Sequence, residues 1–218
     1  MKIMIAIPCM ETVPVAFVES LMTMDKPEGT VVCFNPGSLI YDSRNLLALT
    51  AIKGGYDYVL WLDSDMIVPR DALTQLLDST SFLDRDVPMV SGVYVRMSMP
   101  TQPVIFDKVD PPYEKDGKAV KVIHEYVDYP RNDLFRIEAC GFGCVLTSVD
   151  LLKEVFEKFG PAFAPFPWCG EDVSFCYRVK QLGKIILCDS SVRCGHIGQF
   201  VYTDKLLSIP GGDADKKH

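Results

Sequence analysis

Two aspartates one residue apart, Asp63 and Asp65, follow directly on the apolar run Val59 to Leu62. If the chain stays extended for two residues beyond that run, both carboxylates point to the same side, because side chains alternate along a strand. Paired carboxylate oxygens suit a hard cation such as Mg²⁺ or Mn²⁺, which in nucleotide-handling enzymes also takes phosphate oxygens. A structural role is the alternative, since an Asp-x-Asp after a strand also serves in turns and helix caps.

Two further features with possible chemistry lie more than a hundred residues downstream. Glu171 and Asp172 open a helical pattern, and His196 stands just beyond a short apolar segment. Acids in a first turn complement the helix dipole, so a purely structural role is open for them. A lone histidine is usually structural as well. The order of these features relative to Asp63 and Asp65 is therefore more informative than any one of them.

Composition limits the class of protein. The chain has 218 residues, 48% of them hydrophobic, which favours one large α/β domain. A formal net charge of -7 argues against a surface that binds duplex nucleic acid. No apolar run is long enough for a signal peptide or a transmembrane span, so we expect a cytoplasmic protein. The eight cysteines include no C-x-x-C pair, which predicts free thiols, most of them in the core.

The first hundred residues alternate between strand and helix patterns, which positions the two aspartates. Strands are predicted over 2–8, 30–34, 58–62 and 89–94. Helices are predicted over 15–24, over 44–53 after a cap at Asp42 or Ser43, and from Pro69 onward. This alternation predicts a mostly parallel central sheet with flanking helices. Ligands then gather at the carboxyl ends of the strands, where Pro8, Asn35 and Asp63 would lie.

The second half of the chain is less regular. Residues 100–133 are rich in proline and charge, and they predict a small β hairpin or flap. Apolar strands are expected over 134–137, 143–146 and 184–187, with helices over 149–159 and from Glu171 to Gly183. Residues 206–218 are predicted to be a flexible tail.

The combined order of motifs resembles a glycosyltransferase of the GT-A fold, close to family 2 enzymes of bacteria and their phages. The elements that carry the resemblance are the strand with Asp63-x-Asp65, the Gly170-Glu171-Asp172 helix start, and the run from Val192 to His196. Arg44, Tyr94 and Gly141 also occupy places where that family has similar residues. The resemblance implies a Rossmann-like single domain over 1–205, with a nucleotide-binding half over 1–100 and an acceptor and catalytic half over 101–205.

Roles for individual residues follow from the resemblance. Asp65, with Asp63 and His196, would hold Mn²⁺ or Mg²⁺ against the diphosphate of a UDP- or GDP-linked sugar. Asp172 would be the catalytic base of an inverting enzyme, with Glu171 as second choice. The residues expected to bind the donor are Pro8, Cys9, Met10, Arg44, Asp63, Ser64, Asp65 and Gly141. The acceptor is not indicated.

The chain also departs from the family pattern, and these departures leave alternatives open. After the first strand it has Pro8-Cys9-Met10-Glu11, and the second strand lacks the acid that often holds the nucleotide base, so the nucleotide is open. Retaining enzymes share the metal motif, which leaves the stereochemistry open. A sugar-nucleotide-binding module without turnover is one alternative function. A phosphohydrolase of the haloacid dehalogenase type is another, although Ile67 stands where that motif has Thr or Val.

Overall fold

The computed structural model describes residues 1–37, 39–82, 85–116, 118–198 and 201–204. The strands in chain order are β1 (Ile3–Cys9), β2 (Val31–Pro36), β3 (Tyr58–Leu62), β4 (Met66–Ile67), β5 (Ser81–Phe82), β6 (Arg85–Asp86), β7 (Met89–Val93), β8 (Ile105–Lys115), β9 (Lys118–Glu125), β10 (Leu134–Ile137), β11 (Ala139–Cys140), β12 (Cys144–Ser148), β13 (Ile186–Arg193), β14 (Gly195–Ile197) and β15 (Val201–Tyr202). The helices are α1 (Val15–Thr23), α2 (Ile40–Lys53), α3 (Ala72–Asp78), α4 (Val149–Phe159) and α5 (Glu171–Gln181). The predicted tail over 206–218 lies outside the described residues.

A seven-stranded sheet in the order β10-β13-β7-β12-β3-β1-β2 forms the centre of the molecule. Strands β2, β1 and β3 pair in parallel, as the alternation of strands and helices predicts. Strand β12 runs antiparallel to both of its neighbours, β3 and β7, and β10 runs antiparallel to β13. Five strands therefore point one way and two the other. The expected single α/β domain with a mostly parallel sheet is confirmed.

Alternating side chains divide the core between the two faces of this sheet. Met4 and Trp61 face a cluster that contains buried residues of α2, α4 and α5. Ile5 and Leu60 face the other cluster, which contains buried residues of α1 and α3. The period of two in β1 and β3 thus gives each strand two apolar faces, as a sheet covered on both sides requires.

Smaller sheets flank the centre. Strands β8 and β9 form a long hairpin joined to β11, in the region where the sequence predicts a flap. Its base is held by Lys180 of α5, whose ammonium group donates to the carbonyl of Val109 at 3.1 Å. The short strands β4, β14 and β15 form a second small sheet. That sheet brings residues near Asp65 and residues near His196 together, since Met66 pairs with His196.

Two helix starts differ from the sequence prediction. Helix α2 begins at Ile40 with Leu39 as its N-cap, so Asp42 and Ser43 lie inside the helix instead of capping it. Tertiary contact accounts for this, because the Asn35 side-chain amide donates to the Ser43 hydroxyl at 2.8 Å and binds that side chain inside the fold. Helix α3 begins at Ala72, and Pro69 precedes it, with its carbonyl accepting from the Ala72 amide.

Two further observations concern the cysteines and the helices. Five of the eight cysteines are buried, as the prediction that most of them lie in the core requires. No helix in the described part of the chain combines the length and the apolar character that crossing a membrane requires.

Candidate functional site

A cavity of about 470 Å³ opens beyond the carboxyl ends of β1 and β3. This volume falls in the range of roughly 300 to 1,000 Å³ that is typical of small-ligand sites. The lining consists of Pro8, Cys9, Met10, Leu39, Ile40, Ser43, Arg44, Asp63, Ser64, Asp65, Tyr94, Phe142, Glu171 and Asp172. The ends of β1 and β3, the first turns of α2 and the start of α5, which are far apart in the sequence, therefore meet in one place.

Nine of the eleven residues predicted for the site line this cavity. They are Pro8, Cys9, Met10, Arg44, Asp63, Ser64, Asp65, Glu171 and Asp172. His196 lies directly beside one of them, with its Nε2 atom 3.3 Å from Asp65 Oδ2. Gly141 does not belong to the lining. A Cβ atom at Gly141 would lie 2.0 Å from the Tyr94 hydroxyl oxygen, so this glycine makes room for Tyr94.

The two aspartates after β3 have different partners. The chain does not stay extended over them, because β3 ends at Leu62 and the amide of Met66 donates back to the Asp63 carbonyl at 3.3 Å. Asp63 pairs with Arg44, and Asp65 pairs with His196. The turn therefore gives each carboxylate its own environment, while both still line the cavity.

Arg44 joins two of the acids from inside the protein. This side chain of α2 is 3% exposed, and it donates to Asp63 Oδ1 at 2.7 Å and to Glu171 Oε1. Its guanidinium lies 5.2 Å from the centre of the Phe142 ring. Burial disfavours the charged form, but Asp63, Glu171 and Asp172 outweigh it and raise the pKa of Arg44. The guanidinium is thus a fixed positive charge under the cavity.

We expect Arg44→Ala to destabilise the fold by about 2 to 4 kcal/mol, since breaking a buried ion pair leaves its acids without a counter-charge. Asp63 and Glu171 are partly exposed, which keeps the loss below that of a fully buried pair. Urea denaturation at pH 7 measures it. The matched control is Arg70→Ala, because Arg70 is 77% exposed and pairs with the exposed Asp25, so its loss should cost at most about 1 kcal/mol. Equal losses for both variants would contradict the role assigned to Arg44.

His196 has a defined orientation. Its Nδ1 atom lies 2.8 Å from the carbonyl oxygen of Val95, and because a carbonyl only accepts, Nδ1 carries the proton. In the neutral ring, Nε2 then presents a lone pair to the carboxylate of Asp65. Burial lowers the pKa of His196, but the contacts with Asp65 and Val95 outweigh it and raise that pKa. Two lone pairs facing each other favour either a proton or a cation between them.

This pair fits a hard divalent cation. A metal-binding histidine usually donates its second N–H to a carbonyl or carboxylate, as His196 does to Val95. Among the described residues no group of three or more His, Cys, Asp or Glu side chains is arranged to hold a metal. Asp65 and His196 would thus be the protein ligands, with other positions left to phosphate oxygens and water, a common arrangement for Mg²⁺. Asp63, which the sequence also proposes as a ligand, has one oxygen engaged by Arg44.

Asp172 is the acid of the cavity that lacks a cationic partner. It is half-buried, and among the described residues it forms no salt bridge, whereas its neighbour Glu171 is paired with Arg44. Its Oδ1 atom accepts from the amide of Val173 at 2.7 Å in the first turn of α5. Burial and the negative charge of Glu171 raise the pKa of Asp172 to about 6, against the opposing effect of Arg44. A carboxylate of this kind can exchange a proton near neutral pH.

Several residues that line the cavity were not predicted from the sequence to have a role in the site. They are Leu39, Ile40, Ser43, Tyr94 and Phe142. Leu39 and Ile40 belong to the start of α2, which the sequence placed too late. The signal that could have identified Tyr94 is its place at the end of β7, together with the two glycines at 141 and 143 that lie against its ring.

Comparison with known proteins places the fold. No protein-family model matches the chain, and no curated protein matches it. The crystal structure of A197 from STIV superposes with a TM-score of 0.67 at 17% identity, covering 100% of this chain and 99% of that one. The crystal structure of GalNAc-T7 with UDP, GalNAc and Mn²⁺ gives a TM-score of 0.54 at 14% identity, covering 91% of this chain and 44% of that chain. The likeness to GalNAc-T7, a GT-A glycosyltransferase, supports the GT-A-like fold expected from the sequence.

Proposed function

We propose that this protein is a metal-dependent glycosyltransferase that moves a sugar from a nucleoside-diphosphate sugar to an acceptor hydroxyl. One observation carries the proposal. A single cavity is lined by Asp65, whose carboxylate lies 3.3 Å from the imidazole of the adjacent His196 in a pair suited to a hard cation, and by Asp172. Among the described residues Asp172 forms no salt bridge, and its pKa is raised to about 6. Sugar transfer with inversion uses both parts: stabilisation of a leaving diphosphate and a base for the acceptor.

The likeness to GalNAc-T7 supports the donor class. That protein was crystallised with UDP, GalNAc and Mn²⁺, and its fold covers 91% of this chain. We therefore propose a UDP-linked sugar as the first donor to test and a GDP-linked sugar as the second. Residues 1–100 would bind the nucleotide, with Pro8, Cys9, Met10 and Ser64 around it, and residues 101–205 would supply the base and the acceptor side. We also propose that the protein belongs to glycosyltransferase family 2.

Mn²⁺ or Mg²⁺ would be held by Asp65 and His196, with Asp63 behind them. When bound, such a cation neutralises the negative charge that grows on the leaving diphosphate. Arg44 fixes the carboxylate of Asp63 at 2.7 Å, which keeps the loop between β3 and β4 in one conformation. His196 is oriented by its own hydrogen bond to Val95. These side chains are thus positioned before the donor arrives.

Asp172 would take the proton of the acceptor hydroxyl as that hydroxyl attacks the anomeric carbon. The neighbouring acid, Glu171, already pairs with Arg44. Asp172 has no such partner among the described residues, and its pKa of about 6 leaves it ionised yet basic at pH 7. A single attack of this kind inverts the anomeric configuration, so we propose an inverting enzyme.

Nucleotide release tests the function directly. The purified protein is incubated with UDP-glucose, UDP-galactose, UDP-N-acetylglucosamine and GDP-mannose, each with Mn²⁺ and with excess chelator. We expect slow release of nucleoside diphosphate from at least one donor, dependent on the metal, because water replaces the missing acceptor. Release of phosphate from p-nitrophenyl phosphate would instead indicate a phosphohydrolase. Donor binding without any release would indicate a binding module and overturn the proposal.

A further inference from the structure

Tyr94 lines the cavity and carries a hydroxyl that the mechanism above does not use. It directly follows β7, it is 6% exposed, and it is one of the residues lining the cavity. A phenol in such a place combines a rigid ring with one hydrogen-bond donor. Its surroundings indicate what that donor is for.

Two glycines form the slot that receives the tyrosine ring. A Cβ atom at Gly141 would lie 2.0 Å from the Tyr94 hydroxyl oxygen, and one at Gly143 would lie 2.9 Å from ring carbons. Both contacts are far too short for any side chain larger than hydrogen. The sequence Gly141-Phe142-Gly143 therefore admits the phenol, while Phe142 between the two glycines lines the cavity itself.

The hydroxyl has a free donor. Its oxygen accepts a hydrogen bond from the Gly143 amide at 3.4 Å. Within the described ranges no acceptor is found for its own proton. Burial, with the negative charges of Asp63 and Asp172, holds the pKa of Tyr94 well above its ordinary value, so the proton stays on the oxygen. A buried donor without an acceptor is costly, and a ligand in the cavity would satisfy it.

Tyr94 lies close to both parts of the site. Its ring meets the edge of the His196 ring, with 5.5 Å between the centroids. Asp63 and Asp172 line the same cavity and act on the Tyr94 hydroxyl electrostatically. In the proposed reaction phosphate oxygens bind beside Asp65 and His196, and the attacked carbon lies near Asp172. The transferred sugar would then occupy the cavity that Tyr94 helps to line.

We propose that the Tyr94 hydroxyl donates a hydrogen bond to a hydroxyl of the transferred sugar and so helps to select the donor sugar. The proposal rests on the proposed function, because it requires a sugar nucleotide in this cavity. An uncharged sugar hydroxyl suits the position better than a phosphate does, since two carboxylates would repel an anion there. Tyr94 thus contributes to recognition of the sugar and not of the nucleotide.

Calorimetric titration of Tyr94→Phe tests this, because the variant keeps the ring in its slot and removes only the hydroxyl. The probes are UDP, GDP, UDP-glucose, UDP-galactose, UDP-N-acetylglucosamine and GDP-mannose, each with Mn²⁺. We expect an unchanged Kd for UDP or GDP and a Kd about three- to tenfold weaker for the sugar nucleotide that the parent binds best. Deoxy analogues of that sugar locate the partner, because the parent and the variant should bind the analogue that lacks it equally. The control is Tyr129→Phe, a buried tyrosine outside the cavity lining, which should change neither Kd.

A second measurement, made on the parent protein, covers the case in which Tyr94→Phe does not fold. One deoxy analogue of the best-bound sugar nucleotide should bind about three- to tenfold more weakly than the complete compound, and equal Kd values for every deoxy analogue would overturn this inference. Equal Kd values for the sugar nucleotide in the parent and in a folded Tyr94→Phe protein would overturn this inference and leave the proposed function standing. Failure of the parent to bind any of the six probes with Mn²⁺ would overturn the proposed function and this inference with it.

Discussion

Asp172→Asn is expected to lower the rate of sugar transfer by about a hundredfold to ten-thousandfold, the usual contribution of a positioned base. The amide keeps the shape of the carboxylate and cannot accept the proton of the acceptor. Donor and metal binding should persist, since Asp65 and His196 are untouched. The measurement is the initial rate of nucleoside diphosphate release with donor, Mn²⁺ and an acceptor found by screening. Asp150→Asn is the matched control, because Asp150 occupies the same second position of helix α4, is 85% exposed and should leave transfer unchanged.

The pH dependence gives this prediction a second readout. With a pKa of about 6, Asp172 is protonated progressively as the pH falls through 6, and parent transfer should fall with it. In the unfolded chain this group has its ordinary pKa of 3.8, so between pH 4 and 6 the folded protein binds the proton more tightly than the unfolded chain does. The free energy of unfolding therefore falls as the pH rises from 4 to 6, and the full loss is present above pH 6. The uncharged amide of Asp172→Asn escapes that cost, and the variant should be more stable at pH 7 by about 1 to 3 kcal/mol. A variant that is stabilised but inactive would exclude unfolding as the cause of the lost rate.

Parent-like transfer by Asp172→Asn would remove Asp172 from the mechanism. A product that keeps the anomeric configuration of the donor would do so independently, because a retaining enzyme needs no base in this position. Proton NMR of the first product formed distinguishes the two configurations before any later change at the anomeric centre.

Asp65→Ala is expected to abolish most of the Mn²⁺-dependent part of donor binding. We expect the Kd for UDP with Mn²⁺ to weaken by at least about tenfold to a hundredfold, since losing even the supporting partners of metal ligands costs that much. His196→Ala should weaken it less, because water can replace one neutral ligand of a hard cation. Calorimetry with UDP, with and without Mn²⁺, measures both. Asp71→Ala, which removes an exposed carboxylate at the start of α3, is the control.

One result would contradict the assignment of Asp65 as a metal ligand. If Asp65→Ala binds UDP as tightly as the parent does, and Mn²⁺ strengthens both equally, the cation is held elsewhere or is not needed. Thermal denaturation of each variant without ligand completes the comparison. Asp65 is partly exposed and its partner is His196, so its removal should change the folding free energy by at most about 1 kcal/mol.

Local patterns account for much of the fold. The apolar runs at Ile3–Cys9 and Tyr58–Leu62, and their alternation with helical patterns, were sufficient to predict the parallel part of the sheet. The position of β12 was not predictable in the same way. Its pairing with both β3 and β7 depends on contacts between segments more than fifty residues apart, which leave no periodic trace in the sequence.

The candidate site, like the fold, depends partly on local sequence patterns and partly on contacts between residues far apart in the chain. Asp65, Asp172 and His196 could be proposed because their motifs occur in the order that the resemblance to GT-A glycosyltransferases requires. The partner of Glu171 could not, because Arg44 stands 127 residues earlier and lies in the middle of a helix. A role for Tyr94 in the site was not predicted, for a similar reason. Its slot is made by Gly141 and Gly143, and only the folded chain brings the three together.

The insertion of β12 between β3 and β7 has a consequence for the order in which the chain can fold during its synthesis. When the first hundred residues have emerged from the ribosome, β3 and β7 are present but the strand that joins them has not yet been made. Until Cys144–Ser148 is synthesised, β3 and β7 each have an unpaired edge. Unpaired strand edges readily pair with other chains. Asp65 gains its partner His196 later still, when β14 has been synthesised. Because these strand pairs join segments far apart in the chain, folding should be slow and late, and a chaperone that covers β3 and β7 should raise the yield.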